Sequence, residues 1–223
     1  MNTAVLFDVD GTLVDTPAGM TVVLRDVVAE FGGAADEPRL RATVGRPLVA
    51  SLALLLDLPA DHPDAARAAD RARALFTERV VPVATDLVFP GVPELLAELR
   101  EHGHRLAVVT SKVHRSAVEL LEATGLLGHF DALSCHGMAE RGKPHPDLAL
   151  LAAAALAVPP ERCVVVGDAV DDVLMARAAG MDALGVATGV ATPDQLLTAG
   201  ARAVHADAAR LGEVLVPLGS PQR

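Results

Sequence analysis

The sequence contains no tryptophan, no tyrosine and only five phenylalanines. Proteins that hold single-stranded nucleic acids usually stack the bases on aromatic side chains, and few are present here for that purpose. Basic residues are also outnumbered, 19 against 29 acidic ones, which gives a formal net charge of −10. Because nucleic-acid backbones bind to basic surfaces, we expect no nucleic-acid partner.

Cysteine is equally scarce, since Cys135 and Cys163 are the two in 223 residues. Two cysteines form no disulfide framework, and a chain of this length can bury enough surface to fold without one. No basic segment precedes Asp8, so we predict no signal peptide and a cytoplasmic location. The longest uncharged apolar run, at 148–158, is too short to cross a bilayer, and we expect no membrane partner.

Short apolar segments alternate with segments of helical periodicity along most of the chain. This alternation predicts an α/β fold, a Rossmann-like parallel sheet with helices on both faces. A purely helical block follows the first strand, so we predict a core of residues 1–15 and 89–223 with a helical insert at 16–88. Strands are predicted at 3–8, 105–110, 130–134, 162–167, 183–186 and 203–205, helices at 17–31, 39–56, 64–81, 92–102, 114–124, 146–158, 171–179, 193–199 and 208–216, and a frayed tail at 219–223.

Acidic residues follow two of the predicted strands. Ligands of open α/β sheets bind beyond the carboxyl ends of the strands, so these residues are expected to meet at one edge. The expected carboxylates are Asp8, Asp10, Asp168, Asp171 and Asp172. Five carboxylates near one point repel each other, and a hard divalent cation such as Mg²⁺ relieves that repulsion.

Phosphate-binding groups are expected at the same edge. Thr110 ends the second core strand, and Lys143 is one of two lysines, with Lys112, among 19 basic residues. A hydroxyl and an ammonium group hold phosphate oxygens, so the combination predicts Mg²⁺-dependent phosphoryl transfer. Taken singly, the motifs around Thr110, Lys143 and Asp168 are typical of helix caps and solvated loops. Their coincidence at strand ends favours the catalytic interpretation.

The motifs resemble those of the haloacid dehalogenase superfamily. Residues 7–16, Phe-Asp-Val-Asp-Gly-Thr-Leu-Val-Asp-Thr, resemble its first motif, and residues 109–112, Val-Thr-Ser-Lys, resemble the second. Lys143 resembles the third motif, and residues 167–172 the fourth. The helical insert resembles the first type of cap found in this superfamily. The resemblance covers essentially the whole predicted core.

The resemblance implies a role for each main residue. Asp8 is expected to be the nucleophile that accepts the phosphoryl group. Asp10 is expected to protonate the leaving oxygen and then to activate the water that hydrolyses the intermediate. Mg²⁺ is expected on Asp8, the backbone carbonyl of Asp10, and Asp168. Thr110 and Lys143 are expected to hold the phosphoryl oxygens.

Further residues are implied around this centre. Asp172, and more weakly Asp171, would orient Lys143 or water on the metal. Arg46, on the loop at 43–47, is a candidate to clamp a substrate anion, although a surface role explains it equally well. Other substrate-binding candidates are Gly11, Thr12 and Ser111, of which Gly11 also permits the tight turn after the first strand.

Departures from related enzymes narrow the expected activity. Asp10 disfavours dehalogenases and phosphonatases, which lack an acid there, and Met20 stands where the resemblance places a histidine in sugar phosphomutases. A phosphomonoesterase acting on a small phosphorylated metabolite remains. Residues 166–181 and the segment Gly45-Arg46-Pro47 resemble the phosphoglycolate phosphatase branch most. A phosphomutase or other phosphotransferase and a pyrophosphatase are left as alternatives. A non-catalytic binding protein is disfavoured because no motif residue is missing. Monomer and homodimer are both left open.

Overall fold

Six parallel strands form one sheet in the computed structural model, which describes residues 3–219. The strands are β1 (Ala4–Phe7), β2 (Arg105–Val113), β3 (Ala132–His136), β4 (Cys163–Gly167), β5 (Asp182–Val186) and β6 (Ala203–His205). Their order across the sheet is β3-β2-β1-β4-β5-β6, and all neighbours run parallel. The predicted parallel α/β fold is therefore confirmed, with β1 between β2 and β4.

Helices cover both faces of the sheet. They are α1 (Pro17–Glu30), α2 (Glu37–Arg41), α3 (Leu48–Leu55), α4 (Pro63–Arg79), α5 (Val92–Glu101), α6 (His114–Ala123), α7 (Asp147–Leu156), α8 (Val170–Ala178), α9 (Pro193–Ala199) and α10 (Ala208–Gly219). Successive side chains of a strand point to opposite faces. Val5 and Phe7 accordingly pack with α5, α6 and α10, whereas Ala4 and Leu6 pack with α7, α8 and α9.

Helices α1 to α4 and a 3₁₀ segment, Val81–Leu87, lie between β1 and α5; we call them the helical insert. The two connections between the insert and the rest of the chain run side by side. Val14 and Val88 form an antiparallel bridge, and the amide of Asp15 donates to the carbonyl of Leu87 at 2.7 Å. Both ends of the insert are thus fixed at one point beside β1.

Two details of the predicted secondary structure are wrong. The predicted helix at 39–56 is two helices, because Gly45 adopts φ +85° and Pro47 precedes the first turn of α3, and a left-handed residue followed by proline ends a helix. The second strand continues three residues beyond Thr110, with a register irregularity between Thr110 and Val113. The hydroxyl of Thr110 accepts a hydrogen bond from the amide of Lys112 at 3.1 Å within this irregularity.

The predicted tail at 219–223 lies, apart from residue 219 at the end of α10, outside the described residues. Within residues 3–219, no helix has both the length and the apolar character required to cross a bilayer.

Candidate active site

A cleft of about 800 Å³ lies between the carboxyl ends of the strands and the helical insert. The five predicted carboxylates all line it: Asp8, Asp10, Asp168, Asp171 and Asp172. Lys143 lines the same cleft. The predicted gathering of these residues at one sheet edge is therefore confirmed, because β1 and β4 are parallel neighbours that end side by side.

Lys143 joins two of the carboxylates. Its ammonium nitrogen lies 2.7 Å from Oδ1 of Asp8 and 2.5 Å from Oδ1 of Asp172. All three side chains are buried, with at most 9% of each exposed. The second oxygen of Asp172 accepts a hydrogen bond from the amide of Ala169 at 3.1 Å, at the start of α8. Asp172 is thus anchored to a helix terminus and holds the lysine against Asp8.

Asp168 is held by the loops that follow β1 and β5. Its Oδ1 accepts a hydrogen bond from the hydroxyl of Thr12 at 3.0 Å, and its Oδ2 accepts one from the amide of Val190 at 2.9 Å. Gly189 packs so closely that an added Cβ would lie 1.8 Å from Oδ2 of Asp168. Gly11, at φ +78°, allows a similar approach from the other side. These two glycines let backbone enclose the carboxylate.

Burial controls the protonation of these groups. It raises the pKa of Asp8 well above its ordinary value, an effect that Lys143 opposes and the nearby aspartates reinforce. Burial, with the charge of Asp172, raises the pKa of Asp168 to about 7. Burial alone would lower the pKa of Lys143, but attraction to Asp172 and Asp8 outweighs it and the pKa is raised. Without a further cation, burial and mutual repulsion therefore favour the protonated forms of Asp8 and Asp168.

The donor set fits a hard cation. Ligand oxygens of Asp8, Asp168 and Asp172 all lie within 4.8 Å of one another, and buried carboxylate oxygens suit Mg²⁺. All three carboxylates already accept hydrogen bonds, Asp8 and Asp172 from Lys143 and Asp168 from its loops. The choice of Asp8 and Asp168 as the metal ligands therefore stays a prediction. The carboxyl of Asp10 lies outside this set, so its predicted metal contact rests on its backbone carbonyl and stays a prediction.

Asp10 has its own partners. Lys112 lies 3.0 Å from Oδ1 of Asp10, and the hydroxyl of Thr16 donates to the same oxygen. The ammonium of Lys112 also lies 4.2 Å from the ring centre of Phe76, on α4 of the insert. Lys112 therefore links the second acid of the site to the insert. Sequence reasoning assigned this lysine no role, although the scarcity of lysine was a signal.

A second cavity of about 260 Å³ opens beside Asp10; we call it the inner chamber. Apolar side chains of the insert form most of its wall: Met20, Leu24, Val44, Leu48, Val49 and Phe76. The core contributes Ser111, Lys112, Val113, Ser116 and His136. Arg46 lines both the chamber and the cleft and is exposed, and it forms no ion pair within the described part of the chain. This position is compatible with the predicted contact between Arg46 and a substrate anion, which stays a prediction.

The remaining candidates occupy less direct positions. Thr110 and Thr12 are buried and line neither cavity, so their contacts with substrate stay predictions. Ser111 faces the chamber, and Asp171 lines the cleft at the start of α8. Nothing in the sequence around Gly189 indicates its role, because a glycine in a loop gives no sign of the carboxylate that it packs against.

Comparisons with known proteins agree with this geometry. A probable phosphatase IndB from Dickeya dadantii is 44% identical over 203 residues, which span 89% of this chain and 87% of that protein. A phosphoglycolate phosphatase from Rhodospirillum rubrum is 36% identical over 229 residues, which span 100% and 93%. The crystal structure of β-phosphoglucomutase from Clostridium difficile superimposes with a TM-score of 0.86 over 98% of this chain and 97% of that one, at 21% identity, a likeness of fold alone. The family model for haloacid dehalogenase-like hydrolases matches residues 3–180, and the chain belongs to that family.

Proposed function

We propose that the protein is a Mg²⁺-dependent phosphomonoesterase that acts through an aspartyl phosphate on Asp8. One observation carries the proposal: Lys143 contacts Asp8 at 2.7 Å in a cleft that a second acid, Asp10, also lines. A nucleophile with a cation at its side and an acid nearby is the arrangement that phosphoryl transfer requires. The phosphatases among the relatives support the same chemistry.

In the first half of the reaction, a carboxylate oxygen of Asp8 forms a bond to phosphorus while the bond from phosphorus to the alcohol oxygen breaks. The carboxyl of Asp10 gives its proton to that leaving oxygen, which would otherwise depart as an alkoxide. The ammonium of Lys143 already lies on Asp8 and is placed to stabilise the transferring phosphoryl oxygens. Asp8 and Asp168 would hold Mg²⁺, which would supply further neutralisation of that charge.

In the second half, water replaces the alcohol. The carboxylate of Asp10 takes a proton from the water, whose oxygen bonds to phosphorus as the bond to Asp8 breaks. Inorganic phosphate leaves, and Asp8 and Asp10 return to their starting states. Asp10 thus acts once as an acid and once as a base, and its partners Lys112 and Thr16 hold its carboxyl in one position for both steps.

The substrate in this proposal is a small phosphorylated metabolite. The net charge of −10 opposes approach of an anion at long range. Local cations must therefore provide the attraction, and Lys143, Lys112 and Arg46 line the two cavities. The relative named phosphoglycolate phosphatase supports a small phosphate ester as substrate, and the relative named probable phosphatase supports hydrolysis of a phosphate ester.

The helical insert would serve as a lid. Its two connections meet at the bridge between Val14 and Val88, so small rotations there would open the cleft to substrate and close it against water. Lys112 and Phe76 face each other across the boundary between core and insert and would hold the closed form.

The test is release of phosphate from 4-nitrophenyl phosphate, phosphoglycolate and sugar phosphates by wild type and Asp8→Asn, with Mg²⁺ and with chelator. We expect Mg²⁺-dependent release by wild type and loss of about 10³-fold or more in the variant. Asp61→Asn, at an exposed carboxylate lining neither cavity, is the matched control. Equal activity of Asp8→Asn, or no release from any ester, would contradict the proposal, and transfer to an added sugar would favour a phosphotransferase.

A further inference from the structure

The inner chamber and the cleft share part of their walls, including Asp10, the residue proposed to protonate the leaving group. Asp10 lines both cavities, whereas Asp8, Lys143 and Asp168 line the cleft alone. A phosphoryl group on Asp8 with its ester oxygen at Asp10 would direct the alcohol of the substrate away from the carboxylates. Two spaces are open to that alcohol, the outer cleft and the chamber.

The two spaces differ in chemistry. The outer cleft beyond Asp10 is bordered by four exposed charged residues, Asp15, Arg25, Glu37 and Arg41. The charged lining residues of the chamber are Asp10, Arg46, Arg73 and Lys112. Most of the chamber wall is formed by apolar side chains, among them Leu24, Leu48, Val49 and Phe76. Water gains little from such a wall, so an apolar group that displaces it is favoured.

The size of the chamber also selects among alcohols. Its volume of about 260 Å³ is close to the lower end of the range for small-molecule pockets, about 300–1,000 Å³. A two-carbon alcohol would leave most of this space to water. An alcohol carrying a ring would fill it, and polar atoms of Ser116 and His136 at the core side could meet one substituent of that ring.

We propose that the physiological substrate is the phosphate monoester of an alcohol with a ring-sized, largely apolar body, and that this body occupies the inner chamber. This inference rests on the proposed function and narrows its substrate class away from two-carbon esters. In this proposal the residues of α1, α3 and α4 that line the chamber select the substrate. The carboxylates of the cleft carry out the same reaction on every phosphate monoester.

The test compares kcat/KM for four alkyl esters whose leaving groups react similarly: ethyl phosphate, phosphoglycolate, glucose 6-phosphate and benzyl phosphate. We expect benzyl phosphate to exceed ethyl phosphate and phosphoglycolate by about tenfold or more, as a filled apolar pocket predicts. Glucose 6-phosphate tests whether bulk alone suffices. A preference for it, or equal use of phosphoglycolate and benzyl phosphate, would overturn the inference.

Two variants on one helix localise the effect. Val49→Phe adds a ring inside the chamber, and we expect it to lower the ratio of kcat/KM for benzyl over ethyl phosphate about tenfold. Leu54→Phe adds a similar volume on the exposed side of α3 and is expected to leave that ratio unchanged. An unchanged ratio in Val49→Phe would contradict the assignment, and thermal unfolding of both variants verifies that they fold.

A failure of the proposed phosphatase function can be distinguished from a failure of the inference about the inner chamber. If wild type hydrolyses none of the esters, calorimetric titration with benzylphosphonate and ethylphosphonate tests the chamber without chemistry. Tighter binding of benzylphosphonate, lost in Val49→Phe and kept in Leu54→Phe, would support the chamber as the site of the apolar body. Equal binding of both phosphonates, or none, would overturn it.

Discussion

The ammonium nitrogen of Lys143 lies 2.7 Å from Oδ1 of Asp8, and both side chains are buried. Each group therefore depends on the other for compensation of its charge. Asp172 strengthens the arrangement from the far side, at 2.5 Å from the same nitrogen. The pKa of Asp8 is also raised. A change in the charges of this cluster should therefore alter the stability of the protein, its cation binding and the reactivity of Asp8.

Replacing Lys143 with Met should lower both activity and stability. The variant keeps an apolar chain of similar length but leaves Asp8 and Asp172 without a cation. Breaking a buried pair costs about 3–5 kcal/mol, and loss of a donor to the phosphoryl group lowers kcat by about 10²–10³-fold. Thermal unfolding and phosphate release measure the two effects.

An exposed ion pair provides the control for that variant. Arg202 lies 2.8 Å from Asp182, and both side chains are more than 40% exposed. Arg202→Met should cost less than about 1 kcal/mol and leave activity unchanged. Equal destabilisation by the two variants would contradict the buried, functional character of the Lys143 pair.

Replacing Asp10 with Asn should affect poor leaving groups most. An alkyl alcohol needs a proton as it departs, whereas 4-nitrophenol departs readily as an anion. We expect kcat/KM for an alkyl ester such as benzyl phosphate to fall about 10²–10⁴-fold and formation of the phosphoryl enzyme from 4-nitrophenyl phosphate to fall much less. Pre-steady-state release of 4-nitrophenol measures the latter. An equal loss for both esters would show that Asp10 does not protonate the leaving group.

Replacing Gly189 with Ala should disturb Asp168. The added Cβ would lie 1.8 Å from Oδ2 of Asp168, so either the loop or the carboxylate must move. We expect a lower Tm and loss of most of the stabilisation that Mg²⁺ provides. Gly128→Ala is the control, because an added Cβ there meets no atom within 4 Å. A Gly189→Ala variant with normal Mg²⁺ stabilisation would contradict a role of Asp168 in cation binding.

The stability of the metal-free protein should depend on pH through the ionisation of Asp168. Its folded-state pKa is raised to about 7 from 3.8, so between these values the folded state binds a proton that the unfolded state releases. Stability from this group is present at low pH and is lost as pH rises towards 7. The lowered pKa values of His104 and His136 make stability rise with pH instead. The effect of Asp168 must therefore be isolated by comparing wild type with a variant that lacks this carboxyl.

Asp168→Asn removes the titration and leaves the histidines in place. We expect the Tm of the variant, relative to wild type in chelator, to rise as pH increases from 5 to 8. Added Mg²⁺ should stabilise wild type more at pH 8 than at pH 5, and the variant at neither. A difference in Tm that is constant with pH would show that burial does not perturb Asp168.

The sheet and the gathering of acids could be predicted from the sequence because both follow from local pattern. β1 is four apolar residues followed directly by Asp8, and β4 ends at Gly167 before Asp168. Parallel strands then bring the two ends together without any knowledge of side-chain contacts. The prediction of one helix at 39–56 was wrong. The apolar periodicity of this segment is compatible with a continuous helix, but Gly45 and Pro47 interrupt it.

Contacts between distant segments could not be predicted in the same way. Lys112 could have faced solvent, and its placement between Asp10 and Phe76 depends on how α4 packs over β2. Gly189 is 21 residues beyond Asp168 in numbering, and its role depends on the path of the loop after β5. The inner chamber likewise exists because three helices of the insert meet the end of β2.

The most direct test of the account is capture of the phosphoryl group on Asp8. Asp10→Asn should accept phosphate from 4-nitrophenyl phosphate yet fail to activate water, so the intermediate should accumulate. After acid quenching, mass spectrometry of the peptide containing residue 8 should show one added phosphoryl group, absent when Asp8 is also replaced with Asn. Phosphate release by wild type with no adduct in Asp10→Asn, and undiminished release by Asp8→Asn, would contradict the proposed mechanism.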